Sequence, residues 1–293
     1  MQLKDSLAAA IARLTTENVP SPRMNAELLL MFTLNCNRAY LFAHPEHELT
    51  AGEESLYEAA LAERARGVPA QYITGHQEFW GMDFIVTPAV LIPRPETEHV
   101  IETVLELVTA DREVQDPSSK VRIVDVGTGS GCIALALAKE LPRAEIHATD
   151  LSSDALEIAR ANAARNQLVR RIQFHQTDLL EGLDGYFDFI ASNPPYVGES
   201  EEDQVQSEVR KFEPRTAVFA GATGTEVIAR LIPQARQILR PGGWLIMEIS
   251  ATIAKDVRKL LEGWQDVQIK PDLQSIPRVA AARKPKTDDR RPD

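Results

Sequence analysis

The chain changes its hydrophobic spacing twice. Near the amino terminus Leu3, Leu7, Ile11 and Leu14 recur at helical intervals, with Lys4, Asp5, Arg13 and Glu17 interrupting them. The run NVPSP ends that helix. AELLLMFTLN and AGEESLYEAALAERARG repeat the helical pattern, the second stopped by Gly67 and Pro69. Residues 1–75 are therefore predicted to form a small helical domain. The spacing then turns strand-like: Phe79, Trp80, Phe84, Ile85 and Val86 favour strands and Gly81 the turn between them, which predicts a β-hairpin linker over 76–92. Prolines at 88, 93 and 95 stiffen the next stretch of chain, and a helix is expected from about Glu96 to Thr109.

From Val121 onward apolar strands alternate with amphipathic helices. VRIVDVG, EIHATD, RIQFHQTD, FDFIASNP, GGWLIMEIS, VQIKP and RVAAARK read as strands; GCIALALAKEL, SSDALEIARANAARN, TGTEVIARLIPQARQIL and ATIAKDVRKLLEG read as helices. Pro233 inside the third of these predicts a shifted start or a kink. The alternation implies an α/β domain over 93–285, with a mainly parallel sheet covered by helices on both faces. Residues 111–119 read as a surface loop, and 286–293 as a disordered tail.

Composition narrows the class. Hydrophobic residues make up 44% of the 293, enough for a well-formed core. The formal net charge of -11 argues against a phosphate backbone as direct partner, although a local basic patch could survive the average. Two cysteines, Cys36 and Cys132, make neither a disulfide framework nor a structural zinc site, and no His/Cys/Asp cluster suggests any other metal. The first residues do not resemble a signal peptide, and no stretch is apolar enough to span a bilayer. A cytoplasmic protein with no membrane association is expected.

Candidate chemistry begins where VRIVDVG runs into Gly127-Thr128-Gly129-Ser130-Gly131. Glycines there let the backbone turn tightly and approach a ligand, and the helix after them offers free N–H groups. Such a turn holds a pyrophosphate in dehydrogenases, or forms a backbone-lined slot for a cofactor without phosphate; it is also found as a plain tight turn. Asp125 lies just before it. Asp150 ends the second strand, where a carboxylate can accept both ribose hydroxyls or can cap the helix beginning SSDALE. Asp178 ends the third strand, at the same edge, where it could face an adenine amino group with Leu179 packed on the ring, or cap a turn.

The fourth strand leads into Asn193-Pro194-Pro195-Tyr196. Two prolines fix the backbone and remove two donors. The Asn193 side-chain carbonyl and the Pro194 backbone carbonyl are two acceptors suited to the two hydrogens of a planar NH2, whether an amide or an adenine amine. Tyr196 adds a flat apolar surface. An amide nitrogen is a poor nucleophile, and attack on a sulfonium methyl puts positive charge on it; preorganised acceptors stabilise that charge. The alternative is a rigid turn after a strand.

These segments resemble the bacterial release-factor glutamine methyltransferases, the PrmC/HemK family. SPRMNAELLL, PAQYITGHQEFWGMDFIVTPAVLIPRPETE, VDVGTGSG, ATDLSSDALEIARANA, FDFIASNPPYV and DLQSIPRVAAARK carry the resemblance, which covers nearly the whole chain. It implies a seven-stranded class I S-adenosylmethionine-dependent methyltransferase domain, Rossmann-like, behind a helical domain that helps recognise the release factor. The implied reaction methylates the glutamine amide of the GGQ motif in class I peptide chain release factors, leaving S-adenosylhomocysteine, with no metal. By position, Gly127, Thr128, Gly129 and Gly131 should wrap the cofactor beside Asp125, Asp150 and Leu151 should hold its ribose side, and Asp178 and Leu179 should lie near the adenine. Phe84 and Arg94 should close the pocket. Asn193 and Pro194 should hold the glutamine amide, with Pro195 and Tyr196 beside it and Asn193 also near the cofactor. The chain departs from the family pattern at Asn25, Cys132 and Ser250.

Other readings stay in view. An adenine amino-methyltransferase on DNA or RNA could use the same acceptors on a flipped base. Glutamine methylation of a ribosomal protein would use the same constellation. An NAD-dependent oxidoreductase would explain the glycines and Asp150 but not NPPY, and a binding module without activity would need neither. A monomer acting on release factors, without direct nucleic acid contact, is the expected form.

Overall fold

The computed structural model describes residues 1–111 and 120–286; most of the expected surface loop and tail lies outside them. The described chain forms two compact units, one of Met1–His76 with Gln206–Phe212, the other of Gln77–Val205 with the residues from Glu213 onward.

The first unit is helical: α1 (Leu3–Thr16), α2 (Pro22–Leu34), α3 (Arg38–Ala43), α4 (Ala51–Ala65) and α5 (Ala70–Thr74). Leu3 and Leu14 of α1 and Leu29 and Leu30 of α2 pack with Tyr57 and Leu61 of α4. A capping box starts α4: the Thr50 hydroxyl accepts from the Glu53 N–H, and the Glu53 carboxylate accepts from the Thr50 N–H. Asn25, one of the departures, is buried and fully used. Its Nδ2 donates to the Pro20 carbonyl at 2.8 Å, and its Oδ1 accepts from Arg64 Nε at 2.7 Å. An aspartate there could not make the first bond, because an ionised carboxylate only accepts.

The predicted hairpin, β1 (His76–Phe79) and β2 (Met82–Ile85), starts at the boundary and lies, from Gln77 onward, in the second unit. Phe79, Met82 and Phe84 are buried with Ile101 and Ile133, so the hairpin is part of this unit's core. Next come α6 (Glu98–Ala110), β3 (Arg122–Val126), α7 (Cys132–Glu140), β4 (Glu145–Asp150), α8 (Ser153–Arg165), β5 (Ile172–Gln176) and β6 (Phe187–Ser192). A second small sheet was not anticipated: β7 (Val197–Gly198) pairs in parallel with a later β8 (Phe219–Gly221), and the short helices α9 (Ser207–Phe212) and α10 (Arg215–Val218) lie between them in sequence. Neither strand is long enough to show alternation. The chain ends with α11 (Glu226–Ile238), β9 (Leu239–Glu248), α12 (Ala254–Leu260), β10 (Gln265–Pro271) and β11 (Pro277–Arg283). Among these, α11 runs through Pro233, held by burial of Ile228, Leu231, Ile232 and Ala235.

The main sheet has seven strands in the order β10-β11-β9-β6-β3-β4-β5. The five strands from β9 to β5 run parallel; β11 is antiparallel to β9 and to β10. Both faces are apolar. Ile123, Ile146, Phe189 and Ile246 face α6, α7 and the hairpin, whereas Val124, Ile190, Leu245 and Met247 face α11 and α12. Burying side chains of that size contributes about 2 kcal/mol each. The register Val126 opposite Thr149 and Ser192, and Ser192 opposite Met247, brings the ends of β3, β4, β6 and β9 to one edge. Among the described residues no helix is long and apolar enough to cross a membrane.

Candidate active site

The glycine turn comes directly after β3 at that edge. Gly127, Gly129 and Gly131 all have positive φ, at 69°, 55° and 85°. A side chain on either of the first two would meet nothing within 4 Å, so this part of the turn offers bare backbone to open space. Gly131 is needed for packing as well: a Cβ there would lie 2.8 Å from Leu135 Cδ1 and 3.3 Å from Ala159 Cβ.

Asp150 and Asp125 hold the turn from two sides. Asp150 Oδ2 accepts from the Gly129 N–H and Oδ1 from the Ser152 N–H, both at 2.9 Å. The residue that caps α8 is Ser152, whose hydroxyl accepts from the Ala155 N–H; Asp150 is left facing the glycines. Burial raises the Asp150 carboxyl above its ordinary value, opposed by these N–H bonds. Asp125 is fully buried, with Oδ2 accepting from Thr128 Oγ1 at 2.6 Å and from the Ala134 N–H at 3.1 Å. Burial pushes its carboxyl up to about 7.

Four expected ligand contacts are placed differently. The Thr128 side chain is turned inward, its hydroxyl committed to Asp125. Phe84 is wholly buried edge-on to Phe79, with centroids 6.1 Å apart, so its ring fills core and cannot close a pocket. Asp178 holds Arg230 of α11 at 2.5 Å; an ion partner competes for its carboxylate. Arg94 pairs with Glu213, whose other oxygen accepts from the Ile92 N–H at 3.2 Å; the pairing clamps the proline-rich segment. Leu151 is exposed on the rim, and Leu179 is half-buried in the left-handed region, φ 54°.

The tetrapeptide after β6 sits beside the turn, since Ser192 pairs with Val126 and its hydroxyl donates to the Val126 carbonyl at 2.8 Å. Pro194 is buried; Asn193, Pro195 and Tyr196 are half-buried. Asn193 Nδ2 donates to Thr97 Oγ1 at 3.0 Å, Thr97 donates to Glu248 Oε2 at 2.6 Å, and the Tyr196 hydroxyl donates to Glu248 Oε1 at 2.9 Å. Burial raises both the Glu248 carboxyl and the Tyr196 phenol, so the phenol stays protonated and donates. Gly224 (φ 83°) lies under the tetrapeptide; a Cβ there would be 2.6 Å from the Tyr196 carbonyl oxygen and 3.0 Å from the Gly198 nitrogen. Both neighbours are backbone and cannot swing away. Gly224→Ala should therefore lower the unfolding free energy by about 2 kcal/mol, from left-handed backbone and clash together. Urea titration checks this, and an unchanged midpoint would mean that the turn gives way freely.

Thr97, Glu213 and Glu248 were missed from the sequence. Glu248 had a usable signal, as the one charged residue inside GGWLIMEIS. Thr97 and Glu213 had none, because what they touch is far away along the chain.

Comparison with known proteins shows the family and the fold. Residues 5–75 match the PrmC N-terminal domain model, and 109–211 match the methyltransferase small domain model. The chain is 55% identical over 287 residues to the release factor glutamine methyltransferase of Koribacter versatilis, covering 97% of this chain and 99% of that one. It is 42% identical to that of Chlorobaculum tepidum, covering 93% and 94%. Among solved structures, the Thermus thermophilus 16S rRNA N2 G1207 methyltransferase in complex with AdoMet and guanosine aligns with a TM-score of 0.52 at 19% identity. That alignment covers 71% of this chain and 49% of the other, a likeness of fold alone. The seven-stranded sheet is thus that of the class I methyltransferases, and the chain, a methyltransferase, belongs to the release factor glutamine methyltransferase family.

Proposed function

We propose that this enzyme transfers a methyl group from S-adenosylmethionine to the side-chain amide nitrogen of the GGQ glutamine in class I peptide chain release factors. The observation that carries the reading is the placement of Asn193 and Pro194 at the end of β6, beside a glycine turn whose open backbone is held by Asp150. That turn suits the cofactor: bare glycine backbone leaves room for it, and the Asp150 carboxylate is the kind of acceptor that ribose hydroxyls need. Gly127, Gly129, Asp150 and Leu151 would hold it, with Leu179 and Asp178 at the adenine end once Arg230 shares its carboxylate. When bound, S-adenosylmethionine supplies an already activated methyl on a sulfonium and leaves as S-adenosylhomocysteine.

The chain's own groups do the rest. The Asn193 and Pro194 carbonyls accept from the acceptor NH2, orient its nitrogen and stabilise the positive charge that grows there. Tyr196, its hydroxyl tied to Glu248, presents its ring as a fixed wall. The proton leaves after transfer, when the nitrogen has become acidic, so no strong base is required. The helical unit of residues 1–75 grips the release factor, and the enzyme acts as a monomer in the cytoplasm without a metal. The net charge of -11 favours a protein partner over a nucleic acid.

Purified enzyme with radiolabelled S-adenosylmethionine tests this. It would be offered an intact class I release factor, the same factor with its GGQ glutamine replaced, ribosomal proteins, and adenine-containing DNA and RNA. Label on the intact factor alone is expected. Label on nucleic acid would make the adenine reading the correct one, and label only on ribosomal protein would keep the chemistry but change the partner. Asp150→Ala should weaken S-adenosylmethionine binding about tenfold or more, since it removes a ligand acceptor and frees the Gly129 N–H. Calorimetry showing unchanged affinity would remove Asp150 from the cofactor site.

A further inference from the structure

We infer that Thr97 and Glu248 are positioning residues that fix which way round the Asn193 side-chain amide is held, so that its carbonyl and not its NH2 meets the acceptor. The inference rests on the amide-methylation reading above.

An asparagine amide is nearly symmetric in shape but opposite in function at its two ends. Turned one way, Asn193 offers an acceptor to an incoming NH2. Turned the other way, it offers two hydrogens to two hydrogens, and the acceptor pair is lost. Something must choose, and donor bookkeeping identifies it.

Glu248 ends β9, fully buried, and both its oxygens accept: Oε1 from Tyr196 and Oε2 from Thr97. A threonine hydroxyl has a single hydrogen. With Glu248 ionised, as two hydroxyls donating to its two oxygens favour, that hydrogen goes to Glu248 in a short 2.6 Å bond and leaves only lone pairs on Thr97 Oγ1. Those lone pairs can take only a donor, so the Asn193 group 3.0 Å away must be the NH2. The carboxylate thus sets the hydroxyl, the hydroxyl sets the amide, and Oδ1 becomes the free end. The three residues come from the 3-10 turn Pro95–Thr97, the end of β9 and the loop after β6, which are brought together only by the sheet edge.

A double-mutant cycle on the full-length enzyme tests the order of control. Thr97→Val keeps the shape and removes the hydroxyl. Thr97→Ser keeps the hydroxyl. Asn193→Asp makes both ends of the side chain acceptors, so orientation no longer matters. With an intact release factor, Thr97→Val should lower kcat about tenfold or more with S-adenosylmethionine affinity unchanged. Thr97→Ser should restore most of the loss, and Thr97→Val should cost less than about twofold in the Asn193→Asp background. Equal losses in both backgrounds would reduce Thr97 to a packing residue and overturn the inference.

A readout without catalysis keeps this separate from the substrate assignment. In 15N-asparagine-labelled enzyme, the Asn193 side-chain NH2, identified by its loss in Asn193→Ala, should exchange slowly in the wild type and in Thr97→Ser, and quickly in Thr97→Val. Fast exchange in the wild type would overturn the inference whatever the substrate. Slow exchange together with no transfer to any release factor would uphold the orientation and refute the amide-methylation reading instead.

Discussion

Asn193→Ala is expected to lower methyl transfer at saturating release factor by about a hundredfold or more, while S-adenosylmethionine binds within about twofold of the wild type. The loss of rate reflects what one preorganised acceptor aimed at developing charge is worth, about 3 kcal/mol. The unchanged affinity reflects geometry: the bonds that shape the glycine turn come from Asp150 and Asp125, not from Asn193. The fold should survive, because among the described residues the Asn193 side-chain bond to be lost is the one to Thr97, worth about 1 kcal/mol. Single-turnover kinetics with calorimetry on the same sample separates the two effects. Wild-type rates in the variant would mean that the Pro194 carbonyl alone suffices, and the acceptor role of Asn193 would fall.

The second large effect is on stability and runs with pH. Burial raises Asp125 from an ordinary 3.8 to about 7, which is worth about 4 kcal/mol between its two protonation states. The folded protein therefore binds a proton that the unfolded chain releases. This contribution is fully present below pH 3.8 and is lost as the pH rises to about 7. Carboxylates whose values are lowered by partners, such as Glu27 with Arg23 and Arg38, act in the opposite direction and mask the effect in the wild type alone. Comparison with Asp125→Asn cancels them. The stability of the variant relative to the wild type should rise by several kcal/mol between pH 4 and pH 8, measured by urea unfolding at each pH. A difference that stays flat would mean that Asp125 is ionised throughout and that Thr128 and Ala134 hold the charge.

The sequence was informative where one element carries both pattern and chemistry. VRIVDVG leading into GTGSG made a strand and a turn legible, and Asp150 stood out at the end of the next strand; in the fold its carboxylate accepts from the Gly129 N–H, a contact the sequence does not announce. Prolines made NPPY legible, because they limit the backbone whatever surrounds it. Legibility failed where a role depends on a distant partner. Phe84 read as a pocket residue but is core, because α6, α7 and the hairpin close over it. Asp178 stood out at a strand end, but its Arg230 partner on α11 could not be read from the sequence. Thr97 and Glu248 lie 151 positions apart, and only the order of strands in the sheet makes them neighbours. Two-residue strands such as β7 leave no period to detect.

The helical unit is made of two pieces of chain, and this bears on how it could be removed or exchanged. Gln206–Phe212 belongs to it although the segment is encoded after the tetrapeptide. Glu208 there pairs with Arg64 at 2.8 Å, and the Phe212 ring lies against Gly67. A gene shortened to begin at Gln77 would still encode that segment but neither Arg64 nor Gly67, leaving Glu208 without that cation and the Phe212 ring without that neighbour. An exchange of the helical unit with that of a relative would have to carry both pieces to keep the Arg64–Glu208 pair and the Gly67–Phe212 contact.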